Sequence, residues 1–354
     1  MLVRYEKLPI EIQTLYGELL ERLVALEARR AIGHVQGSFV AKRIKGKEYY
    51  YFQYLEPGGK KRQLYVGRAD DILRRVVSRY RESREEIASE RESIQRLCTL
   101  LRAGGALSTD TASARVLRAL ADAGVFHLGG VLVGTQAFIV IGNLLGVRWE
   151  GTGLRTQDID ITAERSVRVA IGDLPETTVP SALESLEMGF VPVPGLDPDR
   201  ASTSFKVRGQ GLRVDLLTPA RRPDESRPVR IPRFQMAAQP LRFLDFAMED
   251  PIRAAVIDGD GVLVNVPRPA VFALHKLLTA SERPVATHVK RDKDVLQAGQ
   301  VLSFLLEERP GDVRLAWEAL AARGANWVKL ARRGLELLAV HDEGLAARIR
   351  EVIA

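Results

Sequence analysis

Cysteine is nearly absent from this chain, which contains Cys98 alone among its 354 residues. A single thiol excludes an intramolecular disulfide and a zinc site built on several cysteines. Because no disulfide framework indicates an oxidising compartment, the expected location is the cytoplasm. Cys98 lies among Leu97, Leu100 and Leu101, and this apolar setting predicts a small core residue.

Long apolar runs are absent as well. No stretch reaches the roughly 20 apolar residues of a membrane-spanning helix, and Met1–Arg4 lacks the apolar segment of a signal peptide. Hydrophobic residues make up 46% of the chain and charged residues 27%, as in ordinary globular proteins. We therefore expect two or three domains with sizeable cores and no membrane anchor.

Acidic residues are outnumbered, since 45 aspartates and glutamates face 52 lysines and arginines and the net charge is +7. A basic protein favours polyanionic partners. A nucleoside triphosphate, a tRNA and DNA all fit this preference, and the net charge does not choose among them.

Residues 1–104 are predicted to form a unit in which a small sheet lies between two helices. Helical periodicity covers Pro9–Ala31 and Ala69–Leu101, and strand periodicity covers Ser38–Ile44, Glu48–Leu55 and Arg62–Val66. Lysines and arginines alternate with tyrosines in these strands. Such a sheet can bind a phosphate backbone and stack bases, or it can pack one face on a helix and expose the other to solvent. Both alternatives remain open.

The most informative stretch of the sequence begins with an apolar segment. Phe126–Val133 is predicted to be a buried strand, Gly134-Thr135 a turn, and Gln136–Leu145 a helix. Further along the chain, short strands are predicted at Leu241–Phe246, Ile252–Ile257 and Val262–Val266.

Three aspartates interrupt apolar strands. Asp158 and Asp160 lie two residues apart, so they share one strand face, with isoleucines on the other. Neighbouring carboxylates repel, and burying them without compensation is costly. A divalent cation, Mg²⁺ or Mn²⁺, held by hard oxygen ligands removes this cost. The third aspartate, Asp215, lies in the strand predicted for Leu212–Leu217.

A Gly-Thr turn before a helix, a strand with two aspartates and a later strand with one resemble the DNA polymerase β-type nucleotidyltransferase superfamily. The resemblance implies an α/β (α+β) fold with a small mixed sheet, and residues 105–266 as the catalytic core. It implies that Gly134 and Thr135 contact nucleotide phosphates. It also implies that Asp158 and Asp160 ligate two metal ions, and that Asp215 completes the site and helps to activate the attacking group.

Two features depart from that superfamily. Thr135 occupies the position of the usual serine, although it keeps the hydroxyl. The gap between the turn and the paired aspartates is also longer, with Arg148–Arg155 as the apparent insertion. At its end, Arg155 is expected either to clamp a phosphate or ribose or to form a surface ion pair.

From Pro267 onward the chain is predicted to be helical, and residues 267–354 are expected to form a subdomain that closes a nucleotide cleft. Helices at Pro267–Ala280 and Thr287–Leu306 place cations beside an apolar stripe. This pairing resembles bacterial AbiEii-like nucleotidyltransferases, in which a lysine and a nearby Lys/Asp cluster face the nucleotide. The resemblance implies that Lys276 binds triphosphate. It extends to Lys290, Lys293 and Asp294, which ordinary solvent-exposed side chains explain equally well.

These observations predict a metal-dependent nucleotidyltransferase that moves a nucleoside monophosphate from an NTP to an acceptor hydroxyl, for example on a tRNA or a protein. One alternative is a nucleic-acid-binding regulator with a non-catalytic transferase core. Another is an interaction component of a defence or toxin–antitoxin system, with an antitoxin-like protein partner. The three retained carboxylates argue against a non-catalytic core, because an inactive site does not need them.

Overall fold

The computed structural model describes residues 5–31, 37–44, 46–55, 61–151, 157–165, 178–194, 202–284 and 287–354. Its strands are β1 (Tyr5–Lys7), β2 (Gly37–Ile44), β3 (Lys47–Leu55), β4 (Lys61–Arg68), β5 (Val131–Val133), β6 (Val147–Trp149), β7 (Asp158–Thr162), β8 (Phe190–Pro192), β9 (Ser204–Val207), β10 (Arg213–Pro219), β11 (Val229–Ile231), β12 (Met236–Leu241), β13 (Ile252–Val256) and β14 (Val262–Val266). Its helices are α1 (Ile10–Ala31), α2 (Asp71–Ala103), α3 (Thr111–Asp122), α4 (Gly134–Leu144), α5 (Val179–Glu184), α6 (Leu244–Ala247), α7 (Pro269–Glu282), α8 (His288–Glu308), α9 (Pro310–Ala321), α10 (Ala325–His341) and α11 (Glu343–Ile353). The predicted α/β (α+β) class is confirmed. Among the described residues, no helix has the length and apolar character needed to span a bilayer.

The aspartate-bearing strands lie in the middle of a mixed sheet with the main order β11-β12-β10-β7-β5. On one edge β10 runs parallel to β7, which in turn pairs antiparallel with β5. On its other edge β10 pairs antiparallel with β9 at its start and parallel with β12 at its end. Alternate residues of β7 and β10 are buried (Ile159, Ile161, Val214 and Leu216). The intervening residues, which include the aspartates, therefore lie on the opposite face of the sheet.

One cluster of buried residues joins this sheet to the C-terminal helices. Phe138 of α4 stacks on Trp149 of β6, with ring centroids 4.9 Å apart, and on Phe272 of α7 at 6.2 Å. All three side chains are at most 2% exposed. Burying a ring of this size stabilises a fold by about 2–3 kcal/mol. These contacts fix α4 and α7, the two helices that carry the Gly-Thr turn and Lys276, against each other.

The N-terminal part has the predicted order of a helix, a three-stranded sheet and a helix. Strands β2, β3 and β4 form an antiparallel meander between α1 and α2. The C-terminal half of α2 packs with α1 and with Ala255 of β13 in a second buried cluster. Cys98 is fully buried in that cluster, so the prediction of a core role is confirmed. The domain limits at residues 104 and 266 stay predictions.

Two predicted strands need correction. Within Phe126–Val133 only β5 is extended, because residues 123–129 form successive turns that end in Gly129, whose φ is +88°. The prediction for Leu241–Phe246 is wrong. Strand β12 ends at Leu241, Phe243 has a φ of +66°, and α6 follows. Both errors have one cause, since the periodicity of a short apolar run does not distinguish a strand from a buried turn or helix.

Candidate active site

The register of the two central strands brings two aspartates side by side. Asp160 of β7 is paired with Asp215 of the parallel strand β10. Residues in register on neighbouring strands lie about 4.8 Å apart on the same face. Asp158 precedes Asp160 by two residues and therefore shares that face. The structure thus brings the three predicted carboxylates together on one face of the sheet.

The Gly-Thr turn meets these carboxylates because β5 pairs with β7. Val133, the last residue of β5, lies opposite Asp160, and Gly134 follows it with a φ of +69°. A β-carbon on Gly134 would lie 2.3 Å from Oδ2 of Asp160. No L side chain fits this approach, and the left-handed conformation favours glycine for a second reason. Glycine at this position therefore allows the backbone of the turn to lie against the Asp160 carboxylate.

Helix α4 begins at this glycine, with its N-terminus at the carboxylates. No side chain within the described ranges caps the helix at Val133. The first amide groups of a helix lack intrahelical acceptors and carry a partial positive charge, which makes such an end a phosphate site. Thr135 is buried in the first turn, and its Oγ1 accepts a hydrogen bond from Nε2 of Gln297 at 3.4 Å. The hydroxyl predicted to contact phosphate is thus positioned by α8.

Crowding changes the protonation of the central carboxyl. Burial raises the pKa of Asp160 to about 6, and the charges of Asp215 and Asp158 add to this shift. Lys276 opposes it as the nearby cation. Its raised pKa reflects burial and repulsion by two neighbouring carboxylates, and a bound divalent cation relieves such repulsion.

Asp215 has partners of its own. Its Oδ1 accepts hydrogen bonds from Nε of Arg213, at 2.8 Å, and from the hydroxyl of Ser204. Arg213 also donates from Nη2 to Ser204 Oγ at 2.8 Å. The sequence did not single out these two residues. The arginine was detectable, because it precedes Asp215 by two positions and shares its strand face. The serine needs the register of β9 against β10.

The predicted cations occupy three different settings. Lys276 is buried, and its Nζ donates to Oδ1 of Asp294 at 2.5 Å. Lys293 is half-buried, and burial lowers its pKa, with Lys276 adding to the effect and Asp294 opposing it. Asp158 and Asp160 also oppose that shift, so Lys293 lies within electrostatic range of the carboxylates. Lys290 is exposed.

Asp294 organises this group. Besides Lys276, its Oδ2 accepts a hydrogen bond from Nε of Arg283 at 2.7 Å. Burial would raise the pKa of Asp294, yet these two cations hold it below the ordinary value. Gln297, which the sequence did not reveal, follows Asp294 by three residues, a helical spacing that places both on one face of α8. Helix α8 thereby contacts both Lys276 and the Gly-Thr turn.

The apparent insertion begins in a strand. Its first residues belong to β6, which pairs antiparallel with β1, a strand that the sequence did not reveal. Arg155, the candidate phosphate or ribose clamp, lies outside the described residues.

The donor set fits a hard divalent cation. In the described ranges, no three His, Cys, Asp or Glu side chains already surround a common point. Oδ1 of Asp215 is held by Arg213 and Ser204, so these two partners compete with a cation for this oxygen. The three aspartates supply only carboxylate oxygens, the ligands that Mg²⁺ and Mn²⁺ prefer.

A separate cavity of about 410 Å³ lies between α1, α3 and β14. Its lining includes Arg91, Arg118, His127 and Asn265, and none of the predicted site residues. The candidate active site is therefore distinct from this cavity.

Comparison with known proteins agrees with the geometry. A family model described as "Nucleotidyltransferase" matches residues 111–322, which is more than half of the chain and includes the turn, the three aspartates and Lys276. The searches of curated proteins and of solved structures returned no significant match. The narrower AbiEii-like grouping stays a prediction. Since the match covers most of the fold and all of the candidate site, the chain belongs to the nucleotidyltransferase family.

Proposed function

We propose that this protein is a metal-dependent enzyme that transfers a nucleoside monophosphate from an NTP to an acceptor hydroxyl. One observation carries the proposal. Asp160 and Asp215 lie in register beside Asp158, next to a helix N-terminus that Gly134 allows to approach them. Carboxylates and the first amides of a helix together suit a metal-bound triphosphate, because one set holds cations and the other holds phosphate.

Asp158, Asp160 and Asp215 would hold Mg²⁺ or Mn²⁺. A bound divalent ion lowers the pKa of an attacking hydroxyl and stabilises negative charge on the pyrophosphate leaving group. The residues of the chain supply positioning and electrostatics. The α4 amides and the Thr135 hydroxyl would bind phosphate oxygens, and Asp215 would accept the proton of the acceptor hydroxyl.

Cations on α7 and α8 would complete the phosphate site. Lys293 is half-buried and close enough to Asp158 and Asp160 for their charges to affect its pKa. Lys276 is committed to Asp294, so it acts on the site through its field, lowering the pKa of Asp160. Lys293 is therefore the better candidate for direct contact with phosphate, and Lys276 for positioning.

The proposed acceptor is a hydroxyl group on a tRNA or on a protein. The cytoplasm remains the proposed location, and its support is the single buried cysteine, Cys98.

Nucleotide binding can be tested by thermal unfolding with Mg²⁺ and each of the four NTPs. A ligand that binds only the folded state at a hundredfold excess over Kd adds about 2.7 kcal/mol, which raises Tm by several degrees. Asp160→Asn should abolish the increment that depends on Mg²⁺. Asp224→Asn removes an exposed carboxylate elsewhere and should keep it. An equal increment in both variants would show that Asp160 does not bind the metal.

Catalysis is tested by incorporation from each labelled NTP into total RNA and into the proteins of a cell extract. Transfer by the parent protein and none by Asp160→Asn is the expected result. If the parent binds Mg²⁺ and NTP but labels no acceptor, a regulator with a non-catalytic core becomes the better account.

A further inference from the structure

One face of the three-stranded sheet β2-β3-β4 is partly covered by α2, and the other face is open. Phe39 and Phe52 pack against Tyr80 of α2, with ring centroids 5.1 and 5.8 Å apart. Residues that alternate with these two phenylalanines lie on the opposite face. We call this the basic–aromatic face, and define it by Lys42, Tyr49, Tyr51, Lys61, Gln63 and Tyr65.

The charge on this face is all of one sign. Strands β2, β3 and β4 contain one acidic residue, Glu48, which lies on the covered face and pairs with Arg74 of α2 at 3.3 Å. Lys42 and Lys61 lie on the open face, and Lys47 and Arg68 share it by their register. Within the described strands, the open face therefore carries cations and no carboxylate, which complements a polyanion.

Three tyrosines form the centre of the face. The ring of Tyr65 lies 5.5 Å from that of Tyr51 and 6.2 Å from that of Tyr49. Tyr65 is 55% exposed, an unusual exposure for a large aromatic side chain in a folded domain. Nζ of Lys42 lies 4.7 Å from the centre of the Tyr51 ring and donates to Gln63 Oε1 at 2.6 Å. Cations and amides thus surround an aromatic cluster that remains accessible to solvent.

The sheet stands apart from the catalytic sheet along α2. Tyr80 holds it to the N-terminal half of α2, whereas Cys98 lies in the core at the other end. These two residues are 18 positions apart, which corresponds to roughly 27 Å at about 1.5 Å per residue. The family match begins at residue 111, so the sheet is an addition to the transferase core. A separate binding module at this distance suits a long substrate better than a small one.

We propose that the basic–aromatic face binds single-stranded nucleic acid. Aromatic side chains on a basic surface bind a single strand because bases stack on the rings while cations contact the phosphates. A duplex hides its base faces, so exposed tyrosines would add little to its binding. If the protein has the proposed transferase activity, on which this step rests, the bound strand is the acceptor and its terminal hydroxyl reaches the carboxylates.

The test uses the full chain and fluorescence anisotropy. The probes are labelled oligo(U) and oligo(dT) of about 16 nucleotides, a site size reached by single-strand-binding domains, and a duplex of the same length. The parent should bind a single strand at least about tenfold more tightly than the duplex. Lys42→Glu with Lys61→Glu should weaken binding and reduce the salt dependence by about 1.4 in log–log slope, because each lost phosphate contact contributes about 0.7.

The tyrosine is tested separately. Tyr65→Leu keeps an apolar side chain but removes the ring, and should weaken single-strand binding about 5- to 150-fold, the effect of one stacked base. Lys329→Glu with Arg333→Glu on α10 is the matched control, because it also reverses two charges. It should bind like the parent, since both side chains are exposed and far from the sheet in sequence. Asp160→Asn should also bind like the parent, so a failed transfer activity is distinguishable from a failed binding site.

Three results would overturn the inference. The first is that the parent protein binds neither oligonucleotide, and the second is that it binds the duplex as tightly as a single strand. The third is that Tyr65→Leu binds like the parent while the variant with Lys42→Glu and Lys61→Glu does not. The last outcome would leave a basic surface without base stacking. Equal unfolding midpoints of the variants and the parent are required for each comparison.

Discussion

Gly134 and Asp160 are so close that a β-carbon on the glycine would lie 2.3 Å from the carboxylate oxygen Oδ2. Gly134 also has a φ of +69°, a conformation that L side chains rarely adopt. The contact joins the N-terminus of α4 to the central carboxylate. Anything that widens it moves the α4 amides, the proposed phosphate site, away from the aspartates proposed to ligate metal.

Gly134→Ala should therefore lower both stability and nucleotide binding. The backbone strain alone costs about 1–2 kcal/mol, and the clash with Asp160 adds to it. Gly129→Ala is the matched control, because Gly129 has a φ of +88° but open space around its Cα. Urea unfolding should show the larger loss for Gly134→Ala. Only this variant should lose the Tm increment with Mg²⁺ and NTP. An equal loss in both variants would show that backbone strain, and not the contact with Asp160, causes the effect.

The raised pKa of Asp160 predicts an unusual dependence of stability on pH. Its folded-state pKa is about 6, against the ordinary aspartate pKa of 3.8. The folded protein binds this proton more tightly than the unfolded chain, so stability is lost as pH rises from about 4 to above 6. At about 1.4 kcal/mol per pKa unit, the loss at neutral pH is on the order of 3 kcal/mol without metal.

Asp160→Asn cannot ionise and should avoid this loss. The difference in unfolding free energy between the variant and the parent should grow in favour of the variant between about pH 4 and pH 7. Urea unfolding in a chelator measures it at each pH. Adding Mg²⁺ should reduce the difference by stabilising the parent alone. A difference that stays constant over the whole range would contradict the raised pKa.

The buried ion pair between Lys276 and Asp294 predicts an asymmetry between two variants. Lys276→Met removes the buried partner, and Arg283→Met removes the more exposed one. Breaking a buried pair costs about 3–5 kcal/mol, and Lys276→Met should fall at the lower end because Arg283 still contacts Asp294. Arg283→Met should cost less, since its side chain is 35% exposed. Equal losses in urea unfolding would show that burial does not govern this group.

Lys276→Met should also act on the carboxylates. Because Lys276 lowers the pKa of Asp160, its removal should move the pH dependence described above to higher pH. Lys290→Met removes an exposed lysine of α8 and should leave that dependence unchanged. The midpoint of the Asp160-dependent stability curve is the measurement, and a shift to lower pH would exclude Lys276 as the neighbouring cation.

Much of this arrangement was predictable from local sequence, because it depends on period and turn chemistry. The alternation of aspartate and isoleucine placed Asp158 and Asp160 on one strand face, and Gly134 marked the turn into α4. The Arg213 and Ser204 contacts with Asp215 were not predicted. The serine depends on how β9 and β10 align, and a register between strands is not contained in the period of either strand.

Lys276 shows the same limit for helices. The sequence placed it beside the apolar stripe of α7 without indicating burial, and the structure shows that it is buried. Its partner could not be derived, because Asp294 and Lys293 are adjacent on α8 and periodicity does not decide which of them faces α7. The packing of α8 against α7 in the main core decides it, and such contacts between distant segments are set by the whole core.

Asp215 carries the most direct prediction for catalysis. It lies in register with Asp160, and its Oδ1 is held by Arg213 and Ser204. If Asp215 ligates metal and accepts the acceptor proton, Asp215→Ala should lose at least about 4 kcal/mol of transition-state stabilisation, a decrease of about a thousandfold in transfer rate. The Tm increment with Mg²⁺ and NTP should fall less, because the α4 amides, Thr135 and the other aspartates remain.

Arg213→Ala separates this role from a structural one. It leaves the carboxylate in place but removes the guanidinium that competes with a cation for it. Transfer should then need less Mg²⁺ for half-maximal rate, since Asp215 no longer exchanges one positive partner for another. The assay is labelled-nucleotide incorporation against Mg²⁺ concentration, for the parent and both variants. Parent-like transfer by Asp215→Ala would exclude a catalytic role. An increased Mg²⁺ requirement in Arg213→Ala would show that the arginine positions Asp215 for the metal and does not compete with it.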